Sequence, residues 1–282
     1  MENRTQKLLI SDLDGTLLFA EGEERVFHEK DIHAIRQFQQ QGNLVAVNSG
    51  RTVAWLTQPL EGHIEWDYLI ASSGAVIVKR LTDADMNMDD IGIKDIGIKD
   101  TDRTDKYEII DAHPFPRQLI LGLLEKLQSE SMQYEITFQT LKKVYSMNQK
   151  TGYGLPITAV QDIDEITDNI YGVSMHFAGE TEANAYASWF RQSGIADIAC
   201  YQNKQDIDMV AAGCSKGTAI QTLCAYLHIP IEHCYAIGDS YNDIEMLKAV
   251  DNAYTFHHSP EEVRSCSKKI VDSVEEMLYH LR

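Results

Sequence analysis

The chain is poor in cysteine, poor in positive charge and without a long apolar run. Its five cysteines, Cys200, Cys214, Cys224, Cys234 and Cys266, fall in the last third with no closely spaced pair. An odd, scattered set supplies neither a disulfide framework nor a zinc site, so reduced thiols in a cytoplasmic protein are expected. Lysine and arginine number 25 against 43 aspartates and glutamates, a formal charge of −18. No basic stripe is available to release counterions from a phosphate backbone, which argues against nucleic acid as the main partner. A small anionic substrate stays open, because a cation and a few local donors can dominate one pocket. No run approaches membrane-spanning length and residues 1–7 lack the apolar segment of a signal peptide, so no membrane partner is expected.

Present instead is ample material for a core: 282 residues, 44% hydrophobic and 24% charged, enough for one large or two modest domains. The apolar run Leu8-Leu9-Ile10 reads as a buried strand and ends in Asp12-Leu13-Asp14-Gly15-Thr16. Two acids one residue apart at a strand end repel unless a cation, a proton or a donor cluster sits between them. The spacing then predicts a helix over 27–42, with Ile32, Ile35 and Phe38 on one face and Gly42 as its stop. Leu44-Val45-Ala46-Val47 is a second buried strand, ending at Asn48-Ser49-Gly50-Arg51, and Tyr68-Leu69-Ile70-Ala71 a third, ending at Ser72-Ser73-Gly74-Ala75. Apolar strands alternating with helices indicate a parallel sheet with right-handed crossovers, in which ligands gather at the carboxyl ends of the strands.

From Val76 the character changes. Segments such as Lys143-Val144-Tyr145-Ser146-Met147 and residues 171–177 alternate polar with apolar, and helical stretches are predicted over 117–130 and 182–192. Half-exposed strands with helices suggest an inserted α+β domain with a mostly antiparallel sheet. Within it, Ile91-Gly92-Ile93-Lys94-Asp95 is repeated as Ile96-Gly97-Ile98-Lys99-Asp100, a local duplication far shorter than a solenoid period. Asp83, Asp85, Asn87 and Asp89 have the spacing of a calcium loop, but Met88 replaces the required glycine and Lys94 the bidentate glutamate. A solvated acidic edge is expected there.

The βα pattern returns with Asp206-Ile207-Asp208-Met209-Val210, leading to Gly213-Cys214-Ser215-Lys216-Gly217 and a helix with Ile220, Leu223, Cys224 and Leu227 on one face. Ser215 is a candidate N-cap, which puts Lys216 in the first turn, unfavourable for the helix dipole and suggestive of a bound anion. Cys234-Tyr235-Ala236-Ile237 is a further strand, ending at Gly238-Asp239-Ser240-Tyr241-Asn242-Asp243, where Asn242 or Asp243 could cap the next helix. His257-His258 reads as a surface pair in a polar loop. Asp12, Asp14, Asp239 and Asp243 offer hard oxygens suited to magnesium, while Ser49 and Lys216 offer a hydroxyl and a fixed cation for phosphoryl oxygens. Such a set is what phosphoryl transfer through an aspartyl-phosphate needs.

In order, these clusters resemble the four motifs of the haloacid-dehalogenase-like (HAD) superfamily. Asp12-Leu13-Asp14-Gly15-Thr16 matches DxDGT, Ser49 the second-motif hydroxyl, Lys216 the third-motif lysine, and residues 238–243 the GDxxND pattern. The inserted segment resembles, in size and strand pattern, the class IIB cap of Cof-type phosphatases. The resemblance implies an α/β, Rossmann-like core over residues 1–75 and 206–282 with an α+β cap over 76–205. It further implies a magnesium-dependent phosphatase for small phosphorylated metabolites. Asp12 would be nucleophile and Asp14 acid/base; Asp12, the Asp14 carbonyl, Asp239 and Asp243 would serve the metal; Ser49, Gly50, Lys216 and Asn242 would serve the phosphate. A phosphomutase or phosphotransferase would use the same aspartyl-phosphate, and a non-catalytic regulatory protein on this fold would lack the acids that are present here. Two positions depart from the pattern: Ser73-Gly74-Ala75 stands where Asn-Gly-Ala is usual, and Asn48 where a small residue is.

Overall fold

The computed structural model describes residues 5–22, 24–82, 106–129, 134–148, 151–152 and 155–281. The acidic run at 83–89 and the tandem repeat at 91–100 lie outside the described residues. From the amino end the chain forms β1 (Leu8–Ser11), a hairpin of β2 (Leu18–Glu21) and β3 (Glu24–Phe27), α1 (Glu29–Gln40), β4 (Leu44–Asn48), α2 (Val53–Leu60) and β5 (Tyr68–Ala71). There follow β6 (Val76–Arg80), β7 (Tyr107–Ala112), α3 (Arg117–Ser129), β8 (Tyr134–Gln139), β9 (Val144–Ser146), the short β10 (Thr151–Gly152), β11 (Leu155–Pro156) and β12 (Thr158–Ala159), then β13 (Gly172–Phe177). The rest is α4 (Glu180–Gln192), β14 (Ile198–Asn203), β15 (Asp206–Ala211), α5 (Lys216–Leu227), β16 (Cys234–Ile237), α6 (Ile244–Lys248), β17 (Asn252–Phe256), α7 (Glu261–Ser265), β18 (Lys269–Val271) and α8 (Val274–Tyr279).

Eight strands make the larger sheet, in the order β18-β17-β16-β1-β4-β5-β6-β7. The six from β18 to β5 run parallel, and β6 and β7 add antiparallel. Leu8, Leu9 and Ile10 are fully buried because β1 lies between two strands and both faces of the sheet are covered. Alternation sends Leu9, Val45, Val47 and Leu69 into one core with Ile32, Ile35 and Phe38 of α1 and Met277 of α8. Leu8, Ile10, Ala46 and Ile70 enter the other, against Ile220 and Leu223 of α5 and Met246 and Leu247 of α6. Each of the larger of these side chains contributes about 1.5–3 kcal/mol by leaving water. Burying both faces of β1 is what fixes where its acidic end points.

The smaller sheet is ordered β12-β9-β8-β13-β15-β14 and is antiparallel except for the β9–β12 pair. Ile136, Phe138, Val173, Met175, Ile207 and Met209 pack on Ile120, Leu123 and Leu127 of α3 and Ala183, Tyr186 and Phe190 of α4. Gln139, Ser174 and Asp208 lie on the opposite face and are polar. That polar face meets the larger sheet's loops.

The two sheets divide the chain differently from the expected division at 75/76 and 205/206. Val76–Arg80 and Tyr107–Ala112 belong to the larger sheet, and Asp206–Ala211 to the smaller. The reason is that antiparallel strands at the edge of the large sheet carry the same part-polar pattern as strands of the small one. Asp206-Ile207-Asp208-Met209 alternates strictly, as a half-buried strand should, instead of running apolar like the parallel strands. Cys224 and Cys234, ten residues apart in sequence, bring their thiols to 2.9 Å between α5 and β16.

Candidate active site

The carboxyl ends of β1, β4, β5 and β16 lie side by side, since Ser11 pairs with both Val47 and Ile237, and Asn48 with Ile70. Asp12 leaves β1 with its backbone N–H donating to the Ile237 carbonyl at 2.9 Å. Asp12 is only 4% exposed, and its carboxylate accepts the Lys216 Nζ at 2.6 Å. The same ammonium donates to Asp243 Oδ1 at 2.6 Å. The anions expected beside Lys216 are thus these two carboxylates, which compensate the unfavourable place of a lysine in the first turn of α5. Ser215 caps that helix as predicted, its Oγ accepting the Thr218 N–H at 2.9 Å.

Asp243 is fully buried, and its Oδ2 accepts the backbone N–H groups of Asp239 and Ser240, each at 3.0 Å. The acidic turn is therefore closed from within. Ser240 begins it and Asp243 reaches back, and neither Asn242 nor Asp243 caps α6 with its side chain. Gly238 is required here, because a Cβ would stand 2.5 Å from the Asp243 carboxyl carbon. Asp239 accepts Thr16 Oγ1 at 3.0 Å and Ser240 Oγ at 2.8 Å. Gly15, at φ +89°, lets the chain pass so close to Asp239 that a Cβ would lie 2.6 Å from its Oδ2.

Among the described residues, carboxylate oxygens of Asp12, Asp239 and Asp243 all lie within 4.8 Å of one another. Burial pushes the Asp12 carboxyl well above the usual range, with Asp243 adding to the rise and Lys216 opposing it. Burial and then Asp243 raise Asp239 likewise. Burial alone would lower Lys216, but Asp12 and Asp243 outweigh it and hold the ammonium charged. One lysine against three acids, Asp12 and Asp243 buried and Asp239 half-buried, leaves a net negative cluster of hard oxygens, which fits a divalent cation such as magnesium.

Asp14 sits apart from this cluster. Its carboxyl is 37% exposed and gripped by Arg51, with Nε to Oδ2 at 2.7 Å and Nη2 to Oδ1 at 2.5 Å, and by Arg25 Nη1 at 2.8 Å. Ser49 is buried at the end of β4, and its Oγ accepts the Arg51 N–H at 3.2 Å. Gly50 lies against the smaller sheet, where a Cβ would be 2.4 Å from Asp208 Oδ2. Asn242 is half-buried in the turn before α6. Four further residues join the site without a signal in the sequence. Thr16 orients Asp239, Arg25 and Arg51 hold Asp14, and Asp208 accepts Ser73 Oγ at 3.2 Å and Ser174 Oγ at 2.6 Å. The two departures noted above also acquire contacts: Asn48 Nδ2 donates to the Lys216 carbonyl at 3.0 Å, and Ser73 meets Asp208.

The model of the haloacid dehalogenase-like hydrolase family matches residues 9–96 and 101–277. The chain belongs to this family. A phosphatase of Bacillus subtilis, YwpJ, is 27% identical to this HAD-like hydrolase over 98% of the chain and 99% of its own length. The crystal structure of SMU.1108c from Streptococcus mutans shares the fold with a TM-score of 0.77 at 17% identity, covering 98% of this chain and 99% of that one. The HAD subclass IIB sugar phosphatase BT4131 does so with a TM-score of 0.73 at 16% identity, over 98% and 99%. The α/β architecture read from the sequence is the HAD fold. Among the described residues no helix is long and apolar enough to cross a membrane.

Proposed function

We propose that this HAD-like hydrolase is a magnesium-dependent phosphatase of small organic phosphate monoesters, acting through an aspartyl-phosphate on Asp12. The observation that carries the reading is the buried Asp12–Lys216–Asp243 chain, with contacts of 2.6 Å, set beside Asp239 at the ends of two adjacent parallel strands. It holds a carboxylate fixed and paired with an ammonium, as a carboxylate that attacks an anionic phosphate requires. The relatives named phosphatase support the reaction class.

Asp12 attacks phosphorus in line; an Asp12 oxygen–phosphorus bond forms as the ester bond to the leaving oxygen breaks. Asp14 gives that oxygen its proton, then takes one from the water that hydrolyses the acyl phosphate and frees inorganic phosphate. Ser49, Gly50, Asn242 and Lys216 hold the phosphoryl oxygens, and Arg51 fixes the Asp14 carboxyl in place. Asp12, the Asp14 carbonyl, Asp239 and Asp243 would hold magnesium, which offsets repulsion between an anionic nucleophile and an anionic phosphate. The smaller sheet would act as a cap, its polar face of Gln139, Ser174 and Asp208 closing over the loops that carry Gly50 and Ser73. Free thiols suit a cytoplasmic setting.

The test is phosphate release from a panel of phosphorylated metabolites with magnesium. Turnover by the wild-type protein and its loss in a folded Asp12→Asn variant are expected. Equal turnover by that variant would remove Asp12 from the role of nucleophile.

A further inference from the structure

Two of the five cysteines stand together in the fold, although ten residues separate them in the chain. Cys224 lies on the buried face of α5 with Ile220 and Leu223, and Cys234 opens β16, which pairs with β1 on one side and β17 on the other. Cys224 is 6% exposed, Cys234 is fully buried, and their Sγ atoms are 2.9 Å apart. That separation exceeds a covalent S–S bond by less than about 1 Å. The connection between helix and strand is hydrogen-bonded back on itself. The Ile229 N–H donates to the Cys224 carbonyl at 3.0 Å, and the His233 N–H to the Pro230 carbonyl at 2.9 Å. The approach of the two sulfurs is therefore set by ordered backbone on both sides.

The phosphatase reading uses neither thiol. Among the described residues the one group of three potential metal ligands is that of Asp12, Asp239 and Asp243, so the cysteines are not part of a metal centre of that kind. What distinguishes the pair from two small apolar residues is the contact itself. One thiol donates to the other, which lowers Cys224 below the usual thiol range, while that contact and burial raise Cys234. One sulfur is thereby prepared as the attacking thiolate and the other retains its proton.

We propose that Cys224 and Cys234 form a modification site, oxidised reversibly to a disulfide by a hydroperoxide. The Cys224 thiolate attacks one peroxide oxygen, and the O–O bond breaks to give a sulfenic acid and hydroxide. Hydroxide takes the Cys234 proton and becomes water. The Cys234 sulfur then displaces the sulfenic oxygen, which leaves as hydroxide and is protonated to a second water. Two thiols are oxidised, one peroxide is reduced to two waters, and a dithiol reverses the bond by exchange. Because the sulfurs already touch, the fold need not move to accept it. The bond fastens α5, which begins at Lys216, to β16, which leads to Asp239. It is a staple between the elements that carry the candidate site, and it stands independently of the reaction proposed there.

The test treats the reduced full-length protein with a small excess of hydrogen peroxide, unfolds it in N-ethylmaleimide and maps its peptides by mass spectrometry. A peptide pair joined through Cys224 and Cys234 is expected, and dithiothreitol should abolish it. The thermal midpoint of the oxidised protein should lie about 5 °C above that of the reduced protein, as closure of a short loop implies. Cys224→Ala should remove both the link and the shift; if that variant does not fold, the wild-type map decides alone. N-ethylmaleimide on both cysteines, a sulfinic acid on either without the link, or a link from either to another cysteine overturns the proposal. A joined pair whose midpoint is no higher than that of the reduced protein overturns the staple.

Discussion

Lys216→Met exposes the electrostatics of the site most simply, because it removes the one ammonium that two buried carboxylates share. Lys216 is 1% exposed in its side chain and lies 2.6 Å from both Asp12 and Asp243. At an effective dielectric constant near 20, unit charges at that separation attract by roughly 6 kcal/mol per pair, and the desolvation of all three groups opposes this. What removal costs is set by the charges left behind, about 3–5 kcal/mol for a buried pair broken on one side. Against a typical total of about 5–15 kcal/mol the loss is large. Urea denaturation at neutral pH in chelator should show it as a lower midpoint.

The loss must also depend on pH with a definite sign. Burial, with help from Asp243, already raises Asp12, and removing Lys216 takes away the influence that lowers it. A carboxyl raised in the folded state contributes stability at low pH that disappears as pH rises through its folded-state pKa. The deficit of Lys216→Met should therefore be largest at neutral pH and shrink on acidification toward pH 5. Adding Asp243→Asn should recover part of it, since one orphaned charge is gone. An unchanged midpoint, or a deficit indifferent to pH, would refute the reasoning.

Two further outcomes follow from the geometry. Gly15→Ala places a Cβ 2.6 Å from Asp239 Oδ2 at φ +89°, so a loss of about 1–3 kcal/mol in chemical denaturation is expected; a variant as stable as the wild type would contradict the close approach. Asp208, pushed up to about 6 chiefly by burial, costs the fold stability as pH rises from about 4 to 7. Asp208→Asn should lose that slope, gaining on the wild type by on the order of 2 kcal/mol across the interval, and parallel stability profiles for the two proteins would speak against it.

The parts of the site legible in the sequence are those whose logic is local. A run such as Leu8-Leu9-Ile10 states its own burial, and the acids that follow it must lie at a strand end whatever the rest of the chain does. Ser215, as an N-cap, likewise needs only its neighbours. Pairings between distant elements are different. Nothing near Asp14 in the sequence announces that Arg51, 37 residues on, grips it bidentately, and Arg25 reaches it only because the hairpin folds back. Asn48 and Ser73 read as departures from a pattern and prove to be contacts, to the Lys216 carbonyl and to Asp208. Which sheet a strand joins is illegible for the same reason: pairing partners decide it, and Val76–Arg80 has the local pattern of either sheet.

The nucleophile is tested most directly by trapping. In Asp14→Asn, with magnesium and p-nitrophenyl phosphate, whose leaving group needs little help from an acid, the acyl phosphate should form and then persist for want of a base. Rapid quench, borohydride reduction and peptide mass spectrometry should find homoserine at position 12, only in substrate-treated protein. Reduction at any other carboxylate, or none while nitrophenol is released in a burst, would contradict covalent catalysis by Asp12.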